Sequence, residues 1–322
     1  MGYAIGTVTK GGGDDCHYQL LAAIKTLAEA NGWTTLRYDT ASANREWIGK
    51  SLGLSGNEEI YIGIRTYQSV AGDYYNLLLG AFTGYVAGNT FDTQPGAQLS
   101  GVPAHNNAIT YYMTMNAQRI AFMLKVGTPV YTHGYLGKFF PYARPAEFPN
   151  PLVCAGSFNG AELLRFSDTN QVFPYHGNTI SSYTNFYMRR LDGSWYQPAM
   201  WPFSHGSSTN FGNCLAGATT TNCQVPAGGY HQVEPIILHD RTATVGITNN
   251  VWGELDGVYF VSGFNNAVEN VVQSGGSSTI NQTGMTVLQA VDAIRAVGGR
   301  AFVMLQNVYR TSWRDFIALE MK

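Results

Sequence analysis

From Gly193 to Val233 the chain runs for 41 residues without one Asp, Glu, Lys or Arg, and from Tyr74 to Gln118 its only formal charge is Asp92. A free surface carries interspersed charge for solubility, so tracts this long must be buried, solvated by neutral polar loops, or covered by another chain. Charged residues are 12% of the 322, about half the ~25% usual for a globular chain. Their place is taken by 37 Gly, 20 Tyr and 16 Phe, together with many Asn, Ser and Thr. Aromatic and β-branched residues suit strands, and Gly and Asn suit turns. The expected class is α+β, predominantly antiparallel β, with an N-terminal β-α-β unit and one C-terminal helix.

"YAIGTVT" is a strand, "CHYQLLAAIKTLAEANG" a helix and "WTTLRYD" a strand. The helix puts Leu20, Leu21, Ile24, Leu27 and Ala28 on one face, with Asp14 or Asp15 as N-cap and Gly32 as stop. Strands are expected over 58–67 and 74–86, turning through Ala71-Gly72-Asp73, and a hairpin over "ITYYMTMNAQRIAFMLKVG" turns at Asn116-Ala117. Further strands fall near 128–136, 151–156, 183–190 and 194–200, then in "VEPIILHD", "GVYFVSGF", "RAFVMLQNVYR" and "DFIALEM". The Gly/Ser/Thr/Asn-rich 204–229 reads as a long loop, and "MTVLQAVDAIRAVGG" as a helix with a Gly-Gly stop. An N-terminal α/β segment over 1–90 and a β-rich region over 91–322 are expected; no linker parts them, so one domain is equally compatible.

Catalytic, cofactor and metal motifs give no candidates. "TKGGGDD" between strand and helix matches neither phosphate-loop pattern, and two Asp stand where a phosphate would sit. His231, Glu234, His239 and Asp240 cluster in sequence, but His231 and Glu234 point to opposite faces of a strand. Ser262 lacks the glycine elbow of a serine hydrolase. Glu58 and Glu59 are adjacent on a strand and read as one buried and one solvated acid, not a catalytic pair. The net charge of −2 gives no reason to expect nucleic acid. No apolar run is long enough to span a membrane, and the first residues lack a signal-peptide pattern, so folding in a cytoplasm is expected. Cys16, Cys154, Cys214 and Cys223 are too few for a disulfide scaffold, and free thiols are the default.

Several stretches together carry a resemblance. "SGNEEIYIGIRTYQSVAGDYYNLLLGAFTGYV", "FDTQPG", "GVPAHNNAITYYMTMNAQRIAFMLKVGTPVY", "GYLGKFFPYARPAEFPNPLVCAGS", "RFSDTN", "GELDGVYFVSGFNNAVEN" and "RTSWRDFIALEM" resemble virion structural proteins of tailed bacteriophages and prophages. The resemblance thins in 204–229 and 273–299. It implies a non-enzymatic tail or baseplate component rather than a head protein, localised in the virion, with copies of itself and other virion proteins as partners. It transfers no catalytic residue and no cofactor. The charge-free "GSWYQPAMWPF" supplies candidate interface residues Trp195, Tyr196, Trp201 and Phe203. Phe264, Asn265 and Asn266 are candidate turn-fixing residues, the Asn side chains bonding local backbone and Phe264 packing inward or on a neighbour. Two alternatives stay open: recognition of a host-surface glycan through aromatic platforms, and polysaccharide hydrolysis by carboxylates that meet only in the fold.

Overall fold

The computed structural model describes residues 1–11, 13–126, 131–143, 147–159, 164–168, 171, 174–175, 185–201, 233–240, 250–261, 294–297, 300–306 and 316–321. Its strands are β1 (Gly2–Val8), β2 (Trp33–Asp39), β3 (Glu46–Ser51), β4 (Ile60–Ser69), β5 (Tyr74–Phe82), β6 (Gln98–Pro103), β7 (Ile109–Met115), β8 (Arg119–Val126), β9 (Tyr131–Lys138) and β10 (Phe140–Pro141). They continue as β11 (Leu152–Ala155), β12 (Phe158–Asn159), β13 (Phe186–Arg189), β14 (Trp195–Tyr196), β15 (Ala199–Trp201), β16 (Val233–His239), β17 (Val251–Val261), β18 (Ile294–Val297), β19 (Arg300–Gln306) and β20 (Phe316–Glu320). Among the described residues the one α-helix is α1 (Cys16–Glu29). The expected antiparallel, β-rich class holds.

Three sheets form. The first runs β1-β7-β8-β9-β11-β13-β14, the second β12-β6-β5-β4-β3-β2, and the third β15-β16-β17-β20-β19-β18, with β10 also on β17. The first sheet is the middle layer. Along it, side chains alternate between two cores, as the twofold period of a strand requires. Met113, Met115, Ile120, Phe122, Leu124 and Leu136 point to a core shared with Ile62, Ile64, Leu77 and Leu79 of the second sheet. Tyr112, Ala121, Met123 and Tyr135 point the other way, to Ile236, Leu238, Val258 and Val303 of the third. A sheet covered on both faces carries charge only where a partner is buried with it, as Asp256 is with Arg119.

That stacking decides among the three readings for one neutral tract. The strands of the neutral tract 74–118 are internal to this fold, with Leu77, Leu79, Ala81, Phe82, Val102, Met113 and Met115 all fully buried, while most of 83–99 is exposed or half-buried. Burial within the chain accounts for the missing charge in these strands, and neutral polar residues face solvent in the loops between them. Of the second tract, residues 193–201 are described and 202–232 lie outside the described residues, as does the expected loop 204–229.

The β-α-β unit forms its three elements but not one sheet. β1 lies at the edge of the middle sheet, antiparallel to β7, and β2 at the edge of the second, antiparallel to β3. The two strands therefore face each other across the sandwich, and α1 wedges between them. Leu20, Leu21, Ile24 and Ala28 are buried in the shared core, with Leu27 packed on its margin. Asp15 is the N-cap residue, but its carboxylate does not cap. It accepts from Gln68 Nε2 at 2.9 Å and pairs with Lys10 at 3.3 Å, tying the helix start to β4 instead. Gly32 stops the helix with φ +93°, the left-handed backbone that favours glycine. Strands from both sides of position 90 share both of these sheets, since β1 pairs with β7 and β5 with β6.

His17, on the buried face of α1, has no exposure and no hydrogen-bond partner on either ring nitrogen. Burial pulls its pKa down from 6.5 to about 4. Below the ordinary value the unfolded chain takes up a proton that the folded one refuses, so this group's stability is full above pH 6.5 and lost as pH falls toward 4. The loss is up to about 3 kcal/mol. Urea unfolding of His17→Leu beside the parent should give a flatter pH profile over that window; parallel profiles would show that His17 protonates freely in the fold.

The C-terminal helix reading needs correcting at its end. Ile294, placed on that helix by spacing, lies in β18, which pairs antiparallel with β19 from Ile294↔Val303 to Val297↔Arg300. Gly298 and Gly299, the expected helix stop, lie outside the described residues. Positions 285–293 of the same reading lie outside the described residues.

Candidate functional site

Two surfaces stand out, a sheet edge and a groove. The edge is β1, the terminal strand of the middle sheet. It contains no charge and no proline. Edge strands normally carry such residues to block pairing with other chains. Cross-strand from it, Tyr112 and Thr114 are buried, while Ile5 and Tyr3 opposite them are 41% and 47% exposed. The cover over this face thus ends between β7 and β1, leaving Tyr3, Ile5 and Thr7 in a row on an open rim.

The groove lies at the β2–β3 corner of the second sheet, beside the loop that carries Phe91 over that sheet's outer face. It is open, has a volume of about 580 Å³, and is lined by Arg37, Asp39, Asn44, Glu46, Arg65 and Asn89 among others. Each arginine is held by a carboxylate and lies over an aromatic ring. Arg37 donates to Glu46 at 2.7 Å and to the carbonyls of Ala87 and Asn89, with its guanidinium over Tyr85. Arg65 makes a bidentate bond to Asp92 at 2.8 and 2.9 Å and lies over Phe91. Next to the groove Arg45 repeats the pattern with Asp14, at 2.6 and 2.7 Å, over Tyr18. The Arg45 bond holds the Asp14 carboxyl below its ordinary value. Half-exposed ion pairs contribute little to stability, but here they preset a balanced array of donors and acceptors. One sequence signal pointed to it: Asp92, the lone charge of a neutral tract.

A buried polar hub joins the middle and third sheets. Asp256 on β17 accepts from Asn116 Nδ2 at 2.6 Å and Gln118 Nε2 at 3.1 Å, and lies 3.2 Å from Arg119 Nε. Arg119 has no exposure. The Tyr135 hydroxyl accepts the Asp256 N–H and donates to the Lys138 carbonyl. Burial, then the Asp256 charge, push that hydroxyl well above its ordinary pKa, so it is a fixed neutral group. The hub is enclosed and holds the sheets in register; its members are too far apart in sequence for spacing to join them.

The residues singled out from sequence divide. Trp195 and Tyr196 form β14, the other edge of the middle sheet, and both are half-buried. Trp195 Nε1 donates to the Gly96 carbonyl at 3.0 Å, and Arg190 lies 3.6 Å over the Tyr196 ring. Both are engaged within the chain. Trp201 ends β15, the edge of the third sheet. Phe203, Phe264, Asn265 and Asn266 lie outside the described residues, as do Cys214, Cys223, His231 and Ser262. Cys16 and Cys154 are free and buried. Glu58 pairs with Lys138 at 3.0 Å and is 25% exposed, while Glu59 pairs with Lys50 and is 65% exposed. Both precede β4, which begins at Ile60, so they do not share a strand as expected, and Glu58 is half-buried where a buried acid was expected. Asp240 accepts from Trp252 Nε1 and Asn250 Nδ2. No helix among the described residues is long and apolar enough to cross a membrane.

No family model and no curated protein matches this chain.

Proposed function

We propose that the chain is a non-enzymatic structural component of a tailed-phage virion, in the tail or baseplate, acting through subunit interfaces in a multi-copy assembly. The observation that carries this reading is the β1 rim: an uncharged sheet edge with Tyr3 and Ile5 exposed along it. Such an edge is a liability in a free monomer and an asset in an assembly. The stretches that resemble virion proteins support the same reading, and the place of action that follows is the particle assembled in a bacterial cytoplasm. Gold-labelled antibody against the chain, applied to purified particles, should mark the tail. Particles without label, from cells that hold the chain in solution, overturn the proposal.

The groove favours a second reading, in which the chain also holds a host-surface glycan. Its charges balance, and fixed Asp, Asn, Glu and Arg groups suit a neutral polyhydroxyl ligand. The double variant Asn44→Ala/Asn89→Ala should then assemble normally and lose adsorption to cells about tenfold or more, as expected when hydrogen-bonding groups at a polar site are removed. Unchanged adsorption removes this reading.

A further inference from the structure

We propose that β1 is a self-complementary edge, which pairs antiparallel with β1 of a second copy about a twofold axis to join two middle sheets into one. The inference rests on the assembly reading only in requiring more than one copy.

Full overlap of Gly2–Val8 with its own symmetry mate matches every residue of the strand to a counterpart. Gly2 then faces the partner's Val8, Tyr3 the partner's Thr7, Ala4 the partner's Gly6, and Ile5 faces the partner's Ile5. An isologous contact needs every residue to find its counterpart in this way. On one face the exposed residues meet exposed residues: an aromatic ring beside a threonine methyl, and two β-branched chains on the axis. Aromatic and β-branched cross-strand pairs are the favourable ones. On the other face, toward α1, the paired residues include Gly2, Ala4 and Gly6, which bring no bulk of their own against the helix. Tyr111 and Asn31 already fill the space over Gly6 and Gly2 on that face.

Electrostatics agree. A twofold antiparallel edge sets only its axial residue against its own copy; that residue, Ile5, is uncharged, and no other residue of β1 brings a charge to the seam. The row is also continuous with a core, since Ile5 pairs cross-strand with Tyr112, a member of the cluster between the middle and third sheets. A second copy would extend the sheet under that margin. Edge pairing alone falls at the low end of stable interface areas, below roughly 1,200 Å². The expected free-solution dimer is therefore weak, and multiple contacts in an assembly strengthen it.

Sedimentation equilibrium of the full chain tests this. The parent should self-associate in a concentration-dependent way, and Ile5→Lys, which sets two ammonium groups face to face on the axis, should weaken association at least about tenfold. Ile5 is exposed, so the variant should keep the parent's circular dichroism and unfolding midpoint. Ile5→Cys should form a disulfide dimer on mild oxidation, and Tyr3→Cys alone should not, because its counterpart is Thr7. A parent that stays monomeric at millimolar concentration, or a dimer that Ile5→Lys leaves intact, overturns the proposal. A labelled particle built from a chain that does not dimerise removes only the β1 pairing. A dimer never found in particles removes only the virion reading.

Discussion

Asp256→Ala is expected to destabilise the fold by about 3–5 kcal/mol, because it strands a fully buried guanidinium. Arg119 has no exposure, and Asp256 Oδ2, 3.2 Å from its Nε, also takes the Asn116 and Gln118 amides. Removing that oxygen leaves a charge and two amide donors without their acceptor, each costly in a site of low dielectric. Replacing the pair together, as Arg119→Met/Asp256→Leu, should cost far less than the single change, since an apolar pair of similar volume strands no charge. Asn116 and Gln118 would still lose their acceptor, so the double variant should fall between parent and Asp256→Ala. Urea unfolding of the three proteins measures this. Because the hub joins β17 to the middle sheet, hydrogen exchange in Asp256→Ala should rise first in β16, β17 and β20. A loss under about 1 kcal/mol for Asp256→Ala would mean that water reaches Arg119 and the hub does not hold the third sheet.

How much of this was legible depended on sequence distance. The β7–β8 hairpin could be read because alternation flanks Asn116, and Asn116 Oδ1 does accept the N–H groups of Gln118 and Arg119. The β4–β5 turn was equally local, with Asp73 taking φ +57° next to Gly72. What could not be read was partnership. Nothing in "YAIGTVT" says that its neighbour is β7 and not β2, because an edge strand's alternation is the same beside either. The layering was hidden for a related reason. A strand covered on both faces loses its polar alternation, and the resulting neutral tract looks the same whether another sheet or another subunit covers it. The groove was nearly invisible, since Arg37, Glu46, Arg65 and Asp92 come together only once β2, β3, β4 and the Phe91 loop are in place.

Glycine was the most misleading signal, and it carries the last prediction. Its abundance pointed to turns, yet Gly6, Gly101 and Gly134 stand inside strands, opposite Tyr111, Phe158 and Phe122 in cross-strand register. In each pair the ring lies where the glycine's missing side chain would be. A strand glycine is costly in conformational entropy, and an aromatic laid across it offsets that cost by covering the bare backbone. Phe122 is fully buried in the core between the middle and second sheets. Phe122→Ala should therefore destabilise by about 3–5 kcal/mol, through lost burial, an unfilled cavity and an uncovered Gly134. Gly134→Ala should destabilise by about 1–3 kcal/mol although alanine suits a strand better, because its methyl enters the space of the ring. The two changes should not add. With the ring gone the methyl has room, so Phe122→Ala/Gly134→Ala should be more stable than the sum of its parts predicts, by roughly the whole single cost of Gly134→Ala. Urea unfolding of the four proteins closes the cycle. Additive losses would mean that ring and glycine are neighbours without being partners, and that the glycine content of these strands needs another cause.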